Sequence, residues 1–215
     1  MQAITRPLGA ALALGVLLLG ATGQQAFADL GSMSGDFTVS NGGSGAPATG
    51  NFGSVTISVS STISATISFT ANAPYQFVGV GFNFDTSSGG SIGTISGVPS
   101  GWSSQANPQM DGFGTFSYEF EGSGAGEAVS SLTLNISGSG LSLSSFLVPS
   151  QPPAGNGTQV VGAHVFSPNL TGSGTFFAGA NPSTPAAVPE PSSMLIAALG
   201  LMGFLGYGLR RRRKA

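Results

Sequence analysis

Between residues 30 and 187 the apolar positions recur every second residue, the period of a strand with one wet face. The clearest row runs Val55, Ile57, Val59, then Ile63, Ala65, Ile67 and Phe69. Ser or Thr fills every even position from Ser54 to Thr70, and only Ser61 interrupts the odd row. This reads as one long strand, or as two with an irregularity near Ser60 and Ser61. Side chains branched at Cβ on both faces favour strand over helix. Val78, Val80, Phe82 and Phe84 form a second row, with Gly79, Gly81 and Asn83 opposite. Phe116, Tyr118 and Phe120 alternate with Thr115, Ser117, Glu119 and Glu121, and Leu132, Leu134 and Ile136 form another row. Shorter candidates lie at residues 37–39, 141–143, 160–166 and 174–178.

Turn formers separate these rows: Asn41, Gly42 and Gly43; Asn72, Ala73 and Pro74; Ser87 to Gly90; Gly138, Ser139 and Gly140; Pro149 to Pro153. Short strands with frequent turns predict an all-β fold, an antiparallel β-sandwich of jelly-roll-like kind with about eight to ten strands. No helical periodicity and no fixed-period repeat is present in this stretch. The expected organisation is a signal peptide at residues 1–28, a β-sandwich ectodomain at 29–180, a Pro-rich linker at 181–187 and a C-terminal sorting segment at 188–215. A signal helix and a transmembrane helix would then flank the sandwich.

The two ends differ from the middle. Arg6 precedes an apolar stretch at residues 8–20, and Ala26 and Ala28 flank Phe27 in an A-x-A pattern. That combination reads as a secretory signal cut after Ala28 by a signal peptidase. At the other end, Val188, Pro189, Glu190 and Pro191 precede an apolar run over residues 194–209 and the basic residues Arg210, Arg211, Arg212, Arg213 and Lys214. Each proline fixes its own φ and keeps the preceding residue out of the α region, so this segment is extended and open to a protease. The apolar run spans roughly 24 Å as a helix, slightly short of a hydrocarbon core of about 30 Å. Snorkelling arginines can cover the difference, and the basic cluster is expected to stay cytoplasmic. Hydropathy alone also allows a permanent single-span anchor.

Pro-Glu-Pro, short apolar segment and arginine cluster, in that order, resemble the PEP-CTERM sorting domain. The resemblance implies cleavage near Pro189, Glu190 and Pro191 by an exosortase-like membrane protease. It also implies an exported protein, transiently held in the membrane by its C-terminal helix, in a host that makes extracellular polysaccharide. Several central phrases also resemble ectodomains that carry such signals: Gly79 to Phe84, Gly101 with Trp102, Asp111 to Gly114, and Ala163 with His164 and Val165.

Charge narrows the partners. The chain carries six Lys and Arg, eight Asp and Glu, no Cys and one His. No Lys or Arg lies between Asp29 and Leu209. A domain without cations cannot release counterions from phosphates, so no nucleic acid partner is expected. Zero Cys removes thiolate chemistry, disulfides and Cys-based metal sites. Phe at 15 residues supplies enough apolar surface for a core, which separates the chain from disordered, charge-rich segments.

Candidate chemistry is sparse. Glu119 and Glu121 share a strand face and read as two solvated acids. His164 could join a Ser-His-Asp arrangement with Asp85 or Asp111, but no Gly-x-Ser-x-Gly elbow accompanies it. A calcium site could draw on Asp85 or Asp111, yet no spaced Asp series exists. No catalytic residue, cofactor or metal is therefore assigned. Trp102 and Tyr75 are the candidate glycan contacts, since aromatic rings stack on sugars, and either could equally fill the core. The sequence favours an exported, non-enzymatic surface or matrix protein near extracellular polysaccharide. The alternative is a carbohydrate-binding module with a specific glycan.

Overall fold

A computed structural model describes residues 30–105, 109–152, 154–170 and 174–184. The chain divides into two compact units, residues 1–183 and 184–215. The expected signal helix and transmembrane helix lie outside the described residues. Among the described residues no helix is long and apolar enough to cross a membrane.

Among its described residues the first unit has thirteen strand segments: β1 Gly31–Asp36, β2 Val39–Ser40, β3 Gly53–Ser61, β4 Ser64–Ala71, β5 Gln76–Phe82, β6 Ser91–Ser96, β7 Ser103–Ser104, β8 Gln109–Met110, β9 Gly114–Thr115, β10 Tyr118–Glu121, β11 Ser131–Ser139, β12 Val161–Phe166 and β13 Thr175–Ala180. They form a five-stranded sheet ordered β1-β3-β4-β11-β6, a six-stranded sheet ordered β2-β13-β12-β5-β10-β7, and the small hairpin β8-β9. Every pairing is antiparallel. The chain is thus an all-β sandwich, as the alternation predicts.

The two large sheets share one core. Met33, Val55, Ile57, Val59, Ala65, Ile67, Phe69, Leu132, Leu134 and Ile136 enter it from the five-stranded sheet, and Phe77, Val80, Phe82, Val161, Ala163, Val165, Phe176 and Ala178 from the six-stranded one. Phe69 of β4 meets Phe77 of β5 edge-on with ring centroids 6.1 Å apart, and Phe37 stacks on Phe69 at 6.3 Å. Edge-on aromatic contacts of this kind set the sheet spacing and add to the burial of the rings themselves.

The row from Val55 to Phe69 takes the second of its two expected forms, and a further row is broken. The long row from Val55 to Phe69 is two strands, with a register shift between Val59 and Ser61 and a turn at Thr62 and Ile63. Ile63 belongs to that turn and is 62% exposed. The row Phe116, Tyr118, Phe120 also divides. Tyr118 and Phe120 pack on the main core, whereas Phe116 joins Met110 and Phe113 in a separate cluster.

That second cluster sits on the far face of the six-stranded sheet. Gly79 and Gly81 of β5, Gly162 of β12 and Gly179 of β13 leave this face bare. A Cβ on Gly162 would lie 2.3 Å from Met110 Sδ and 2.8 Å from Phe116, and one on Gly81 3.0 Å from Met110 Cε. The β8-β9 hairpin therefore rests on sheet backbone rather than on side chains. It is stitched to the following loop: Thr115 and Gln151 exchange two backbone bonds of 2.9 Å, Asn156 N donates to Gly112 O at 2.7 Å, and Ser150 Oγ donates to the Phe113 carbonyl.

Candidate functional site

The sorting residues Val188, Pro189, Glu190, Pro191 and Arg210 to Lys214, and the signal-cleavage residues Ala26 and Ala28, lie outside the described residues. The structure describes how the chain approaches the first group. Asn181 Oδ1 accepts a bond from Val160 N at 3.0 Å. Pro182 is buried, and a Cβ on Gly35 would lie 2.9 Å from it. Ser183 exchanges two backbone bonds with Ser34 of the edge strand β1, at 3.0 and 3.2 Å. Asn181, Pro182 and Ser183 thus belong to the sandwich, although their composition resembles linker.

The candidate glycan contacts occupy different surroundings. Trp102 is 8% exposed, with its ring in the main core and its Nε1 donating to the Glu127 carbonyl at 2.9 Å. Neither ring face is open for stacking. Tyr75 is half-buried, edge-on to Phe52 at 5.3 Å and Phe176 at 5.9 Å. It lines a cavity of about 220 Å³ with Ala71, Ala73, Pro74, Gln76 and Ser130.

Asp85, Asp111 and His164 are likewise separate. Asp85 Oδ1 accepts from Ser87 N at 2.7 Å, and the bonds from Ser87 hold its carboxyl below the usual range. Asp111 faces Asn41, whose Nδ2 lies 3.4 Å from Asp111 Oδ2. His164 Nδ1 lies 2.5 Å from Glu121 Oε1 across Gly79, and its ring stacks on Phe177 at 4.4 Å. Among the described residues no three His, Asp or Glu side chains could hold a metal ion together.

Glu119 departs most from the sequence reading. It is not a solvated acid; it is 4% exposed. Burial, reinforced by the charge of Glu121, pushes its carboxyl up to about 7. Its strand pairs Glu119 with Gly81, whose open face is roofed by Met110 and Phe116. Beside it, Asn83 Oδ1 accepts from Ser117 N at 2.6 Å and from Ser117 Oγ at 2.9 Å. Neither Glu119 Oε2 nor Asn83 Nδ2 has a hydrogen-bond partner among the described residues. The signal for this burial was the run of glycines opposite the apolar row in β5, because a bare floor invites a cover.

Ser103 and His164 do not meet on this sheet. Ser103 of β7 is opposite Glu121, and His164 lies on β12. The order β12-β5-β10-β7 separates serine from histidine by three strand spacings, roughly 14 Å.

The outer face of the five-stranded sheet has another character. Successive rows across it read Asp36, Ser54, Thr70, Ser131; then Ser34, Thr56, Ser68, Thr133; then Ser32, Ser58, Thr66, Asn135, Ser96; then Ser64, Ser137, Thr94. Apart from Asp36 at one edge, every one of these side chains is an uncharged hydroxyl or amide. They repeat about every 4.8 Å across the strands and about 6.7 Å along them. Ser68 bonds Thr133 at 3.0 Å and Thr94 bonds Ser137 at 2.6 Å.

A family description, the PEP-CTERM protein-sorting motif, matches residues 187–213. No curated protein and no solved structure matches the chain. The matched span takes in the Pro-Glu-Pro triplet, the apolar run and the four arginines, so the chain carries a PEP-CTERM sorting motif, which supports an exported, exosortase-sorted protein with a membrane-anchoring signal at its C-terminus.

Proposed function

We propose that this protein is a non-enzymatic component of the cell surface or extracellular matrix, held to extracellular polysaccharide through the outer face of its five-stranded sheet. In this reading a signal peptidase cuts after Ala28. The helix at residues 194–209 then spans the inner membrane with Arg210 to Lys214 in the cytoplasm. Exosortase cleaves near residues 188–191 and frees the sandwich. The observation that carries the polysaccharide reading is the uncharged hydroxyl face: it offers donors and acceptors at a regular spacing and few fixed charges. The folded domain adds Asp36, Asp85, Asp111, Glu119, Glu121 and Glu127 and no Lys or Arg. Such a surface repels polyuronates and other acidic polymers, so its partner is a neutral one. The non-enzymatic reading is supported by Glu119, whose raised carboxyl is sealed beneath a hairpin and away from any substrate.

Retention on insoluble neutral glucan, compared with a polyuronate gel, tests this. The wild-type domain should bind the glucan alone. The triple substitution Thr66→Ala, Ser68→Ala, Thr133→Ala should abolish retention and leave the unfolding midpoint nearly unchanged. Equal retention of the triple variant would remove the hydroxyl face from the account.

The Tyr75 cavity favours a second reading, a specific glycan-binding module. It predicts saturable binding of a short oligosaccharide, lost in Tyr75→Ala and indifferent to the hydroxyl-face substitutions. A glycan array with both variants separates the two.

A further inference from the structure

Four strands form the edges of the two large sheets. In the six-stranded sheet these are β2 and β7, each two residues long and too short to template another strand. The five-stranded sheet ends in β1 and β6, each six residues long. The β1 edge is engaged at Ser34 by Ser183 and carries Asp36. Among the described residues β6 pairs only with β11, so its outer backbone groups face away from the sheet.

The β6 sequence is Ser91, Ile92, Gly93, Thr94, Ile95, Ser96. It carries no Lys, no Pro and no inward charge, and of the devices that protect an edge it has only a bulge. Its register with β11 steps from Thr94 opposite Ser137 to Ile92 opposite Gly138, which leaves Gly93 as a bulge. The bulge changes the side-chain phase. Ile92 and Ile95 are three residues apart, yet both pack against the main core and both remain half-buried. Ser91, Thr94 and Ser96 are exposed; Ser91 bonds Ser139 at 3.0 Å and Thr94 bonds Ser137 at 2.6 Å. Read in either direction, the strand presents serine outward, isoleucine inward, a central pair, isoleucine inward and serine outward.

We propose that β6 pairs antiparallel with β6 of a second copy of this chain about a two-fold axis, joining two five-stranded sheets into one of ten strands. A two-fold interface requires a self-complementary surface, and this strand provides one. Ser91 of one copy faces Ser96 of the other, and Ile92 faces Ile95. The inward isoleucines continue the core row, the outward hydroxyls continue the polar field, and the free backbone groups pair. Charge selects the same edge. Every fixed charge on the folded domain is acidic, so a two-fold contact through any of them is repulsive; β6 carries none. A two-fold pairing of β1 would instead place Asp36 against Gly31 and collide with Ser183.

The test uses the exported protein recovered from an exosortase-competent host. Light scattering should find a dimer that dissociates on dilution. Thr94→Lys puts a cation beside the axis, opposite Gly93 of the second copy and next to the same cation on that copy, and should give a folded monomer by circular dichroism. Ser32→Lys on β1 should remain dimeric. Because the chain has no Cys, register can be read directly. Oxidising a mixture of Ser91→Cys and Ser96→Cys chains should yield linked dimers, and either variant alone should not. A wild-type monomer at all concentrations overturns the proposal. So does a Thr94→Lys dimer, a Ser32→Lys monomer, or equal cross-linking of either Cys variant alone.

Discussion

At the residue scale, Gly162 and Glu119 carry opposite kinds of constraint. Gly162 is fixed by what lies on it. A methyl group there would meet Met110 Sδ and Phe116 well inside contact distance, so Gly162→Ala should destabilise the domain by about 1–3 kcal/mol, the usual cost of overpacking. Gly126 meets nothing within 4 Å, and Gly126→Ala should stay within about 0.5 kcal/mol of wild type. Urea unfolding of the pair isolates the contact with the hairpin from the general effect of losing a glycine. Glu119 is fixed by what it lacks. Its folded carboxyl binds a proton up to about 7, whereas the unfolded chain releases that proton at the ordinary glutamate value. The folded state therefore holds more protons between those two values. Its stability falls as pH rises through that window and levels off above it. Glu119→Gln, a neutral isostere, should lose this slope and be more stable than wild type above pH 7. Unfolding midpoints collected from acid to mildly alkaline pH check the sign; a wild type that gains on the Gln variant as pH rises would contradict it. The charged group that adds to the shift is Glu121 on its own strand.

At the element scale, the strands were legible and their partners were not. Ser and Thr alternating with Val, Ile and Phe from Ser54 to Thr70 is enough to predict both β3 and β4, since only a two-residue period places every hydroxyl on one side. Nothing in that row says that β4 will pair with β11, where Ser131 meets Thr70 and Ser137 meets Ser64. Pairing across sixty residues is chosen by the whole core and leaves no local mark. The same holds for Phe116. A bend at Ser117 takes it out of its alternating row and into a cluster that exists only because glycines from three strands align. Trp102 was ambiguous for a related reason: a large ring serves a core and a sugar equally well until its exposure is known. The C-terminal boundary was misread because Asn181, Pro182 and Ser183 have linker composition. Their bonds to Val160 and Ser34 make them structural. Ending the domain after Ala180 removes three hydrogen bonds and the Pro182 contact and should cost roughly 2–4 kcal/mol, whereas ending it after Thr184 should cost almost nothing. Thermal unfolding of the two truncations distinguishes a stitched segment from a tether.

At the scale of the whole molecule, charge is partitioned between the parts. All six Lys and Arg lie in the terminal segments, at Arg6 and at residues 210–214, and none lies in the folded domain. Removal of both ends would turn a chain of net charge −2 into an acidic domain with one face of hydroxyls and amides that carries only Asp36 at its edge, a β6 edge without charge and a sealed carboxyl. That outcome depends on cleavage near the Pro-Glu-Pro triplet. It is tested most directly by intact-mass analysis of the exported protein from matched hosts with and without exosortase. The account predicts a mature chain that begins at Asp29 and ends within residues 188–191 in the competent host, and a chain retaining Arg210 to Lys214 in the deficient one. A competent host whose mature protein still carries those five basic residues would contradict it.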